Sequence, residues 1–354
     1  MKIAVLIRTL ALTGFLCLIA ARGPVLAQVE APAGSPSSPT IESINVEYER
    51  ELIKVERHRL EQIGKLALSQ PKAEAEATLD AYFRLAIAKN LYADAEPTAK
   101  RVIESGDPGV AWLAHLVEIV GLADKEEYEQ SLSCLARAIK AKGAESKGAS
   151  LPVGTKASII DAYFQRLVQG DQIEVARKAM KMIVETSEVA AIRDLATRRL
   201  KQVDLVGKPS PSLVGTDLEG KTWNLDDAKG DVVLVVFWAT WCLPNAQEMP
   251  WLDYLDRTYR TKGLRVVGVN LDAAQHSSKG AETALPAVKR YLLDYNVTWP
   301  TLMNGTGALD HAAAFNVTEI PANVLIGRDG KVSHIDLTGR KLEKAITRSI
   351  AGTR

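Results

Sequence analysis

Two side chains three positions apart, Cys242 and Asn245, decide what chemistry this sequence can support. Cys242 follows an apolar run at residues 232–238 and precedes a helical pattern, so it is predicted to lie where a strand leads into a helix. Unpaired backbone N–H groups and the helix dipole favour a thiolate there, which lowers the pKa of a thiol below its free value of about 8.5. A thiolate attacks disulfides or peroxides, but Asn245 has no sulfur with which Cys242 could form a ring disulfide. The alternative is that Cys242 is an inert thiol.

The other cysteines and the histidines form no second reactive centre. Cys134 falls on a predicted apolar helix face, where a packing role is the default and a resolving partner for Cys242 is the less favoured alternative. Cys17 lacks the small residues that a lipoprotein processing site places just before the cysteine. Because the histidines are scattered along the chain, no metal site and no cofactor are predicted. The histidines are His58, His115, His276, His311 and His334.

The amino terminus predicts export. Residues 1–27 combine a charged start, a short apolar stretch and small residues up to Ala27, which is typical of a cleaved secretory signal peptide. An uncleaved membrane anchor is the alternative. Residues 28–41 are rich in Pro, Ser and Ala and predict a linker. We therefore expect a periplasmic or otherwise extracytoplasmic protein, and the net charge of +1 gives no reason to expect a nucleic-acid partner.

Residues 42–205 predict an all-α domain. The segment is dominated by Ala, Leu, Glu and Lys, and Gly121 is one of its predicted helix breaks. The motif Asp-Ala-Tyr-Phe at residues 80–83 recurs at residues 161–164, an offset of 81 residues, and each copy predicts two helices joined by a tight turn. Residues 112–141 predict a third such pair. Three stacked hairpins resemble a tetratricopeptide-type array, and a non-repeating helical bundle is the alternative.

Residues 206–354 predict an α/β domain, because strands begin near residue 207 and then alternate with helices. Residues 232–238 are apolar throughout, as a strand buried on both faces requires. The other predicted elements are a hairpin at 212–216 and 221–225, a helix at about 245–262, a strand at 264–271, helices at 284–295 and 309–315, strands at 322–326 and 332–337, and a last helix at 341–350.

Six short motifs occur in order in this second half, and together they resemble the TlpA/ResA-type members of the thioredoxin superfamily over residues 207–351. The resemblance implies a thioredoxin fold, so the fold class expected for the chain is multidomain, with a helical-hairpin domain followed by an α/β thioredoxin-fold domain. The motifs are GKPSP at 207–211, DLEGK at 217–221, FWATWCLP at 237–244, EMP at 248–250, IP at 320–321 and DGK at 329–331.

The resemblance also implies roles for residues around Cys242. Trp241 would offer an apolar face to an incoming disulfide, and Pro244 would limit the start of the helix, although folding alone could account for both. Pro321 matches the family's cis-proline, which would leave the backbone of Ile320 free to pair with a partner chain. An ordinary turn proline is the alternative. Glu248 would transfer protons to and from thiols, or would only stabilise the helix terminus.

Two residues depart from the family pattern. Asn245 removes the resolving thiol, although its amide could donate a hydrogen bond to a Cys242 thiolate. Val236 stands where relatives often place a buried polar or acidic group beneath the two cysteines. Because both changes affect the same proton-handling step, ordinary dithiol turnover is not expected.

Two functions follow from these residues. The first is a monothiol thiol-disulfide oxidoreductase of the reductase or isomerase type, in which Cys242 attacks protein disulfides and an external thiol reductant releases the mixed disulfide. The second is a redox-inactive thioredoxin-fold binding or scaffold protein, whose helical domain holds a protein partner. An ionised, accessible Cys242 favours the first function, and a buried one favours the second.

Overall fold

The computed structural model describes residues 41–105, 109–140, 151–275, 280–305 and 309–352. The predicted signal peptide, almost all of the predicted linker, Cys17 and His276 lie outside these ranges. Ile41, the last residue of the predicted linker, is the first residue of a helix. Within the described ranges, no helix combines the length and the apolar character that crossing a membrane requires.

The first half of the described chain is helical, as predicted. Residues 112–141, predicted as a helix pair, correspond to the helices α4 (Ala111–Asp124) and α5 (Tyr128–Lys140). The predicted break at Gly121 is wrong, because α4 continues through it: a Cβ on Gly121 would lie 2.6 Å from the carbonyl oxygen of Tyr92, so glycine lets two helices approach closely there. The helices are α1 (Ile41–Ser69), α2 (Lys72–Ala88), α3 (Tyr92–Ser105), α4 (Ala111–Asp124), α5 (Tyr128–Lys140), α6 (Val153–Gln169), α7 (Ile173–Thr186) and α8 (Ala190–Val203).

Three helical hairpins in this region, α2–α3, α4–α5 and α6–α7, turn in the same way. Each turn contains one non-glycine residue with positive φ: Asn90 at 56°, Glu126 at 62° and Asp171 at 61°. In each case the backbone N–H of that residue donates to the carbonyl three positions earlier. The offset of 81 residues between Asn90 and Asp171 is the offset found from the sequence motif, so the predicted repeat corresponds to a shared backbone geometry.

Packing accounts for the recurring Tyr-Phe pair. Phe83 and Phe164 are fully buried at equivalent places, seven positions before the residue with positive φ in their respective turns. The neighbouring Tyr163 hydroxyl lies 3.0 Å from the hydroxyl of Ser131, which itself donates to the carbonyl oxygen of Ile119 at 2.7 Å. These contacts join successive hairpins. The likeness to tetratricopeptide arrays stays a prediction.

The second half forms the predicted α/β arrangement. Its five-stranded sheet has the order β5-β4-β3-β6-β7, with β3 parallel to β4 and antiparallel to β6, and every residue of the central strand β3 is buried. A separate two-stranded hairpin of β1 and β2 precedes it. The strands are β1 (Val214–Thr216), β2 (Thr222–Asn224), β3 (Val232–Trp238), β4 (Leu264–Asn270), β5 (Thr301–Met303), β6 (Ala322–Ile326) and β7 (Val332–Ile335).

Of the four described helices of this half, three begin two to four residues earlier than predicted, and the short one begins at His311, two residues later than predicted. The helix after β3 starts at Leu243 instead of Asn245, and its last predicted turn is a separate 3₁₀ helix at Arg260–Lys262. The short strand β5 was not predicted. These helices are α9 (Leu243–Tyr259), α10 (Gly280–Asp294), α11 (His311–Ala314) and α12 (Gly339–Ala351).

The described chain divides into two compact units. One contains the sheet, the chain from Thr197 onward and the segment Val168–Arg177, which includes the α6–α7 turn. The other contains the described helices up to Leu167 and the segment Lys178–Ala196. The carboxyl-terminal half of α8 therefore belongs to the same unit as the sheet, and the predicted domain boundary near residue 206 stays a prediction.

Candidate thiol site

Cys242 lies between the end of β3 and the start of α9, where the sequence predicts it. The chain turns at residues 239–241, the N–H of Cys242 donates to the carbonyl oxygen of Ala239 at 3.2 Å, and Cys242 becomes the N-cap residue of α9. Its own carbonyl accepts the N–H of Asn245 at 3.0 Å. The residue is 6% exposed and forms no disulfide. The thiol thus lies at the positive end of a 17-residue helix, as the reactive interpretation requires.

The structure brings Cys242 together with the Ile320–Pro321 segment, 78 residues further along the chain. The Ile320–Pro321 peptide bond is cis, which confirms what the family resemblance implies for Pro321. The Sγ of Cys242 donates to the carbonyl oxygen of Ile320 at 3.7 Å. A hydrogen bond of this kind favours the protonated thiol, whereas the helix terminus favours the thiolate. The balance of these two effects decides the reactivity of Cys242.

Asn245 is fully buried, in the first turn of α9. Its Oδ1 accepts the backbone N–H of Ala239 at 3.4 Å. Its Nδ2 is buried without a hydrogen-bond partner, so the predicted donation to Cys242 is not made in this structure. The side chain that replaces the resolving cysteine therefore ties the loop before Cys242 to the helix after it.

A buried polar cluster behind this loop was missed from the sequence. Asp272, 4% exposed, accepts the backbone N–H of Thr240 at 2.9 Å and also the Thr240 hydroxyl. The amide of Asn270 donates to the same carboxylate at 2.6 Å. Asn270 ends the apolar strand β4 and Asp272 follows two residues later, and this pair of polar residues is the signal that could have indicated the cluster. Its effect is to fix the backbone two residues before Cys242.

An aromatic stack from α10 covers the end of β3 and was also missed. The ring of Tyr291 lies 5.0 Å from that of Trp238 and 4.5 Å from that of Tyr295. Burial raises the pKa of Tyr291, and electrostatic interactions with neighbouring groups, among them the Asp272 carboxylate, raise it further. The Tyr291 hydroxyl thus stays protonated, and it is buried without a hydrogen-bond partner.

The remaining predicted site residues lie around the thiol. Trp241 is 50% exposed and Leu243 is 78% exposed, so apolar side chains flank Cys242 on both sides. Pro244 is exposed in the first turn of α9, and Glu248 is half-buried in the second turn. Val236 is buried in β3, paired in register with Gly268 and Asn323. The contributions of these side chains to reactivity stay predictions.

Cys134 is buried in α5, in the other compact unit, as the packing interpretation expects. Burial and the neighbouring Glu118 carboxylate raise its pKa to about 11. Its Sγ accepts a hydrogen bond from Arg137 at 3.1 Å. Cys134 is therefore protonated near neutral pH. No group of three or more His, Cys, Asp or Glu side chains suited to a metal ion occurs among the described residues.

The sheet order, the thiol at the N-cap of α9 and the cis-proline opposite it define a thioredoxin-like domain with a single thiol. Residues 206–335 match the family model described as AhpC/TSA family. The chain belongs to this redoxin family, and thiol-disulfide oxidoreductases named ResA are among its relatives. It is 33% identical over 143 residues to the thioredoxin-like protein YneN of Bacillus subtilis (strain 168), covering 40% of this chain and 78% of that protein.

Two further comparisons cover the same half. The thiol-disulfide oxidoreductase ResA of Bacillus thuringiensis subsp. konkukian is 35% identical over 127 residues, which are 36% of this chain and 66% of ResA. A solved structure, the thiol:disulfide interchange protein of the thioredoxin family from Chlorobium tepidum TLS, is 26% identical with a TM-score of 0.35, and covers 40% of this chain and 95% of its own. The match thus spans 66% of the length of the ResA relative and about two fifths of this chain.

Proposed function

We propose that this protein is an exported monothiol thiol-disulfide oxidoreductase of the reductase or isomerase type, acting on protein disulfides through Cys242. The observation that carries the proposal is the position of the thiol, at the N-cap of α9 and 3.7 Å from the Ile320 carbonyl oxygen beside a cis-proline. A client strand paired with the backbone at Ile320 would bring its disulfide to this sulfur. The signal-like pattern of residues 1–27 supports export.

The reaction needs one thiol of this chain and one external thiol. The Cys242 thiolate attacks a client disulfide, so that a new S–S bond joins Cys242 to the client, the client disulfide breaks and a client thiolate leaves. In isomerisation a second client thiolate attacks the mixed disulfide and regenerates Cys242, with no net change in electrons. In reduction two molecules of an external thiol supply the two electrons, release Cys242 and leave as their own disulfide.

The test is the rate of alkylation of each cysteine against pH in the full chain, with peptides separated by mass spectrometry. We expect Cys242 to react with a titration midpoint clearly below 7, and Cys134 to serve as an internal control that stays slow because its pKa is raised to about 11. A midpoint for Cys242 at or above about 8.5, or no reaction before unfolding, would refute the proposal.

The second candidate is a redox-inactive binding protein, and a specific observation favours it. Cys242 is only 6% exposed, and a buried thiol favours binding without turnover. In that function the exposed Trp241 and Leu243 would contact an extended peptide, and the helical hairpins would hold a protein partner. A chain with Cys242→Ser that binds reduced and oxidised client peptides as tightly as the parent, combined with an inert parent thiol, would support this candidate.

A further inference from the structure

An ion pair between a buried arginine and a half-exposed glutamate links α8 to the segment that faces the thiol. Arg199, in the carboxyl-terminal half of α8, is 7% exposed, and its Nη2 lies 2.6 Å from Oε2 of Glu319. Glu319 is the residue directly before Ile320, whose carbonyl oxygen accepts the Cys242 thiol. Both members of the pair belong to the same compact unit. The ion pair therefore fixes the positive charge of Arg199 next to the residue that precedes Ile320.

A second contact from α8 holds the chain on the other side of Pro321. Gln202, one turn after Arg199, donates to Oδ2 of Asp336 at 2.7 Å, while Oδ1 of Asp336 accepts the backbone N–H of Asn323 at 3.2 Å. Arg199 also donates to the Oε1 of Gln202 at 3.3 Å, so the two contacts are joined. The carboxyl-terminal half of α8 therefore holds the Ile320–Pro321 segment from both ends.

We propose that Arg199 is a positioning and specificity-determining residue for the thiol site, acting through Glu319. This inference rests on the proposed thiol chemistry of Cys242. A buried guanidinium cannot lose its proton or leave its carboxylate without a large desolvation cost, so it keeps Glu319 in one place. The pair also neutralises the negative charge that would otherwise stand one residue from the backbone that meets the client.

The neutralised pair has a consequence for substrate charge. Without Arg199, the Glu319 carboxylate, which is half-exposed at 53%, would attract cationic disulfides and repel anionic ones. Without the Glu319 carboxylate, Arg199 would have the opposite effect. With the Arg199–Glu319 pair intact, the site favours neither cationic nor anionic clients near Ile320. A purely structural role for Arg199 predicts no such reversal of sign.

The experiment measures the second-order rate of Cys242 in the full chain with two methanethiosulfonates, one cationic and one anionic. We expect Arg199→Gln to raise the cationic-to-anionic rate ratio about two- to five-fold and Glu319→Gln to lower it by a similar factor, as for other partly exposed charge pairs. The exchanged pair, Arg199→Glu with Glu319→Arg, restores the parent ratio. Lys201→Gln, an exposed change on the same helix, leaves the ratio unchanged.

Shifts of the ratio in the same direction in both single variants, or no shift, would overturn the proposal. Amide hydrogen exchange of the peptide covering residues 316–325 is a second measurement, and it does not depend on thiol reactivity. Both Arg199→Gln and Glu319→Gln should speed exchange there relative to Lys201→Gln, and unchanged exchange would also count against the positioning role. An unreactive parent thiol would refute the proposed function, while the exchange result would still decide whether Arg199 positions the segment.

Discussion

The side-chain oxygen of Asn245 accepts the backbone N–H of Ala239 across 3.4 Å, joining the first turn of α9 to the end of β3. The residue that stands in place of a resolving cysteine has thus taken up a structural contact. The contact is incomplete, because the Nδ2 of the same amide is buried without a partner. A buried donor left unsatisfied costs about 1–3 kcal/mol, so a thiol at this position would remove a destabilising group.

Asn245→Cys is predicted to restore a dithiol site. Positions 242 and 245 occupy the N-cap and the first turn of one helix, and residues so placed have the Cα separation of about 4.4–6.8 Å that a disulfide requires. We expect the variant to form an intramolecular disulfide in a glutathione redox buffer. The peptide containing both cysteines would lose two hydrogen masses and resist alkylation until reduced.

Gln247→Cys is the matched control for this change. Gln247 is exposed on the same helix, five positions from Cys242 and on a different face. This variant should remain fully alkylatable in the same buffer. If Asn245→Cys also remained alkylatable, the prediction would be wrong, and the two thiols would not be placed to form a disulfide.

Asp272→Asn is predicted to destabilise the sheet-containing unit by about 1–3 kcal/mol, because an amide cannot accept from the Thr240 backbone, the Thr240 hydroxyl and the Asn270 amide together. Guanidinium unfolding followed by tryptophan fluorescence measures the change. Asp227→Asn, at an exposed carboxylate, should leave the transition in place. Equal midpoints for the two variants would show that the Asp272 cluster adds no stability.

Lowering the pH is predicted to destabilise the fold through His311. Burial lowers the pKa of His311 in the folded chain, against opposing effects of Asp310 and of a hydrogen bond with Val214. The unfolded chain titrates near the ordinary value of about 6.5, so it binds more protons below that pH than the folded chain does. The free energy of unfolding should therefore fall as pH decreases below about 6.5.

His311→Gln tests this dependence, because it removes the titrating group. Unfolding at pH 7.5 and at pH 5 should differ less in this variant than in the parent. His58→Gln, at an exposed histidine of α1, is the control and should keep the parent's dependence. An unchanged dependence in His311→Gln would assign the effect to other histidines such as the partly buried His334, whose pKa burial also lowers.

Gly268→Ala is predicted to overpack the sheet beneath the aromatic stack. A Cβ at this position would lie 2.9 Å from the Nε1 of Trp238 and 3.0 Å from the Oγ1 of Thr301. Both neighbours are buried, so the expected cost is about 1–3 kcal/mol, measured as a lowered unfolding midpoint. Gly215→Ala is the control, since its nearest atoms are two Leu302 methyl groups at 3.4 Å. A cost no greater than that of the control would show that the ring of Trp238 can move.

Long apolar elements and local motifs can be predicted from the sequence. Short elements, and contacts between segments that are far apart in the sequence, cannot. Residues 232–238 were recognised as a strand because burial on both faces leaves an unbroken apolar run. Strand β5 was missed because its three residues give no periodicity. Helix propensity alone predicts a break at Gly121, because glycine is disfavoured in a helix, whereas the close approach of the Tyr92 carbonyl oxygen explains why glycine is required there.

The residues of the candidate thiol site were likewise predictable only where a motif includes them. Cys242, Ile320 and Pro321 were predicted together because the family motif covers both segments, although they are far apart in the sequence. Asp272 and Tyr291 were not predicted, because their contacts with Thr240 and Trp238 join segments that only the folded sheet brings together. Arg199 lies in no motif, and its ion pair with Glu319 joins two segments that are 120 residues apart in the sequence.

The three hairpin turns of the helical region share one backbone shape but use three different residues, Asn90, Glu126 and Asp171. A comparison of residue identities therefore underestimates how similar the backbones of the three hairpins are. A search that aligned chains on the spacing of left-handed turn residues, with a fully buried position seven residues before each, would recover the middle hairpin that the Asp-Ala-Tyr-Phe motif omits. The same search offers a way to find other proteins that carry this array without any shared motif.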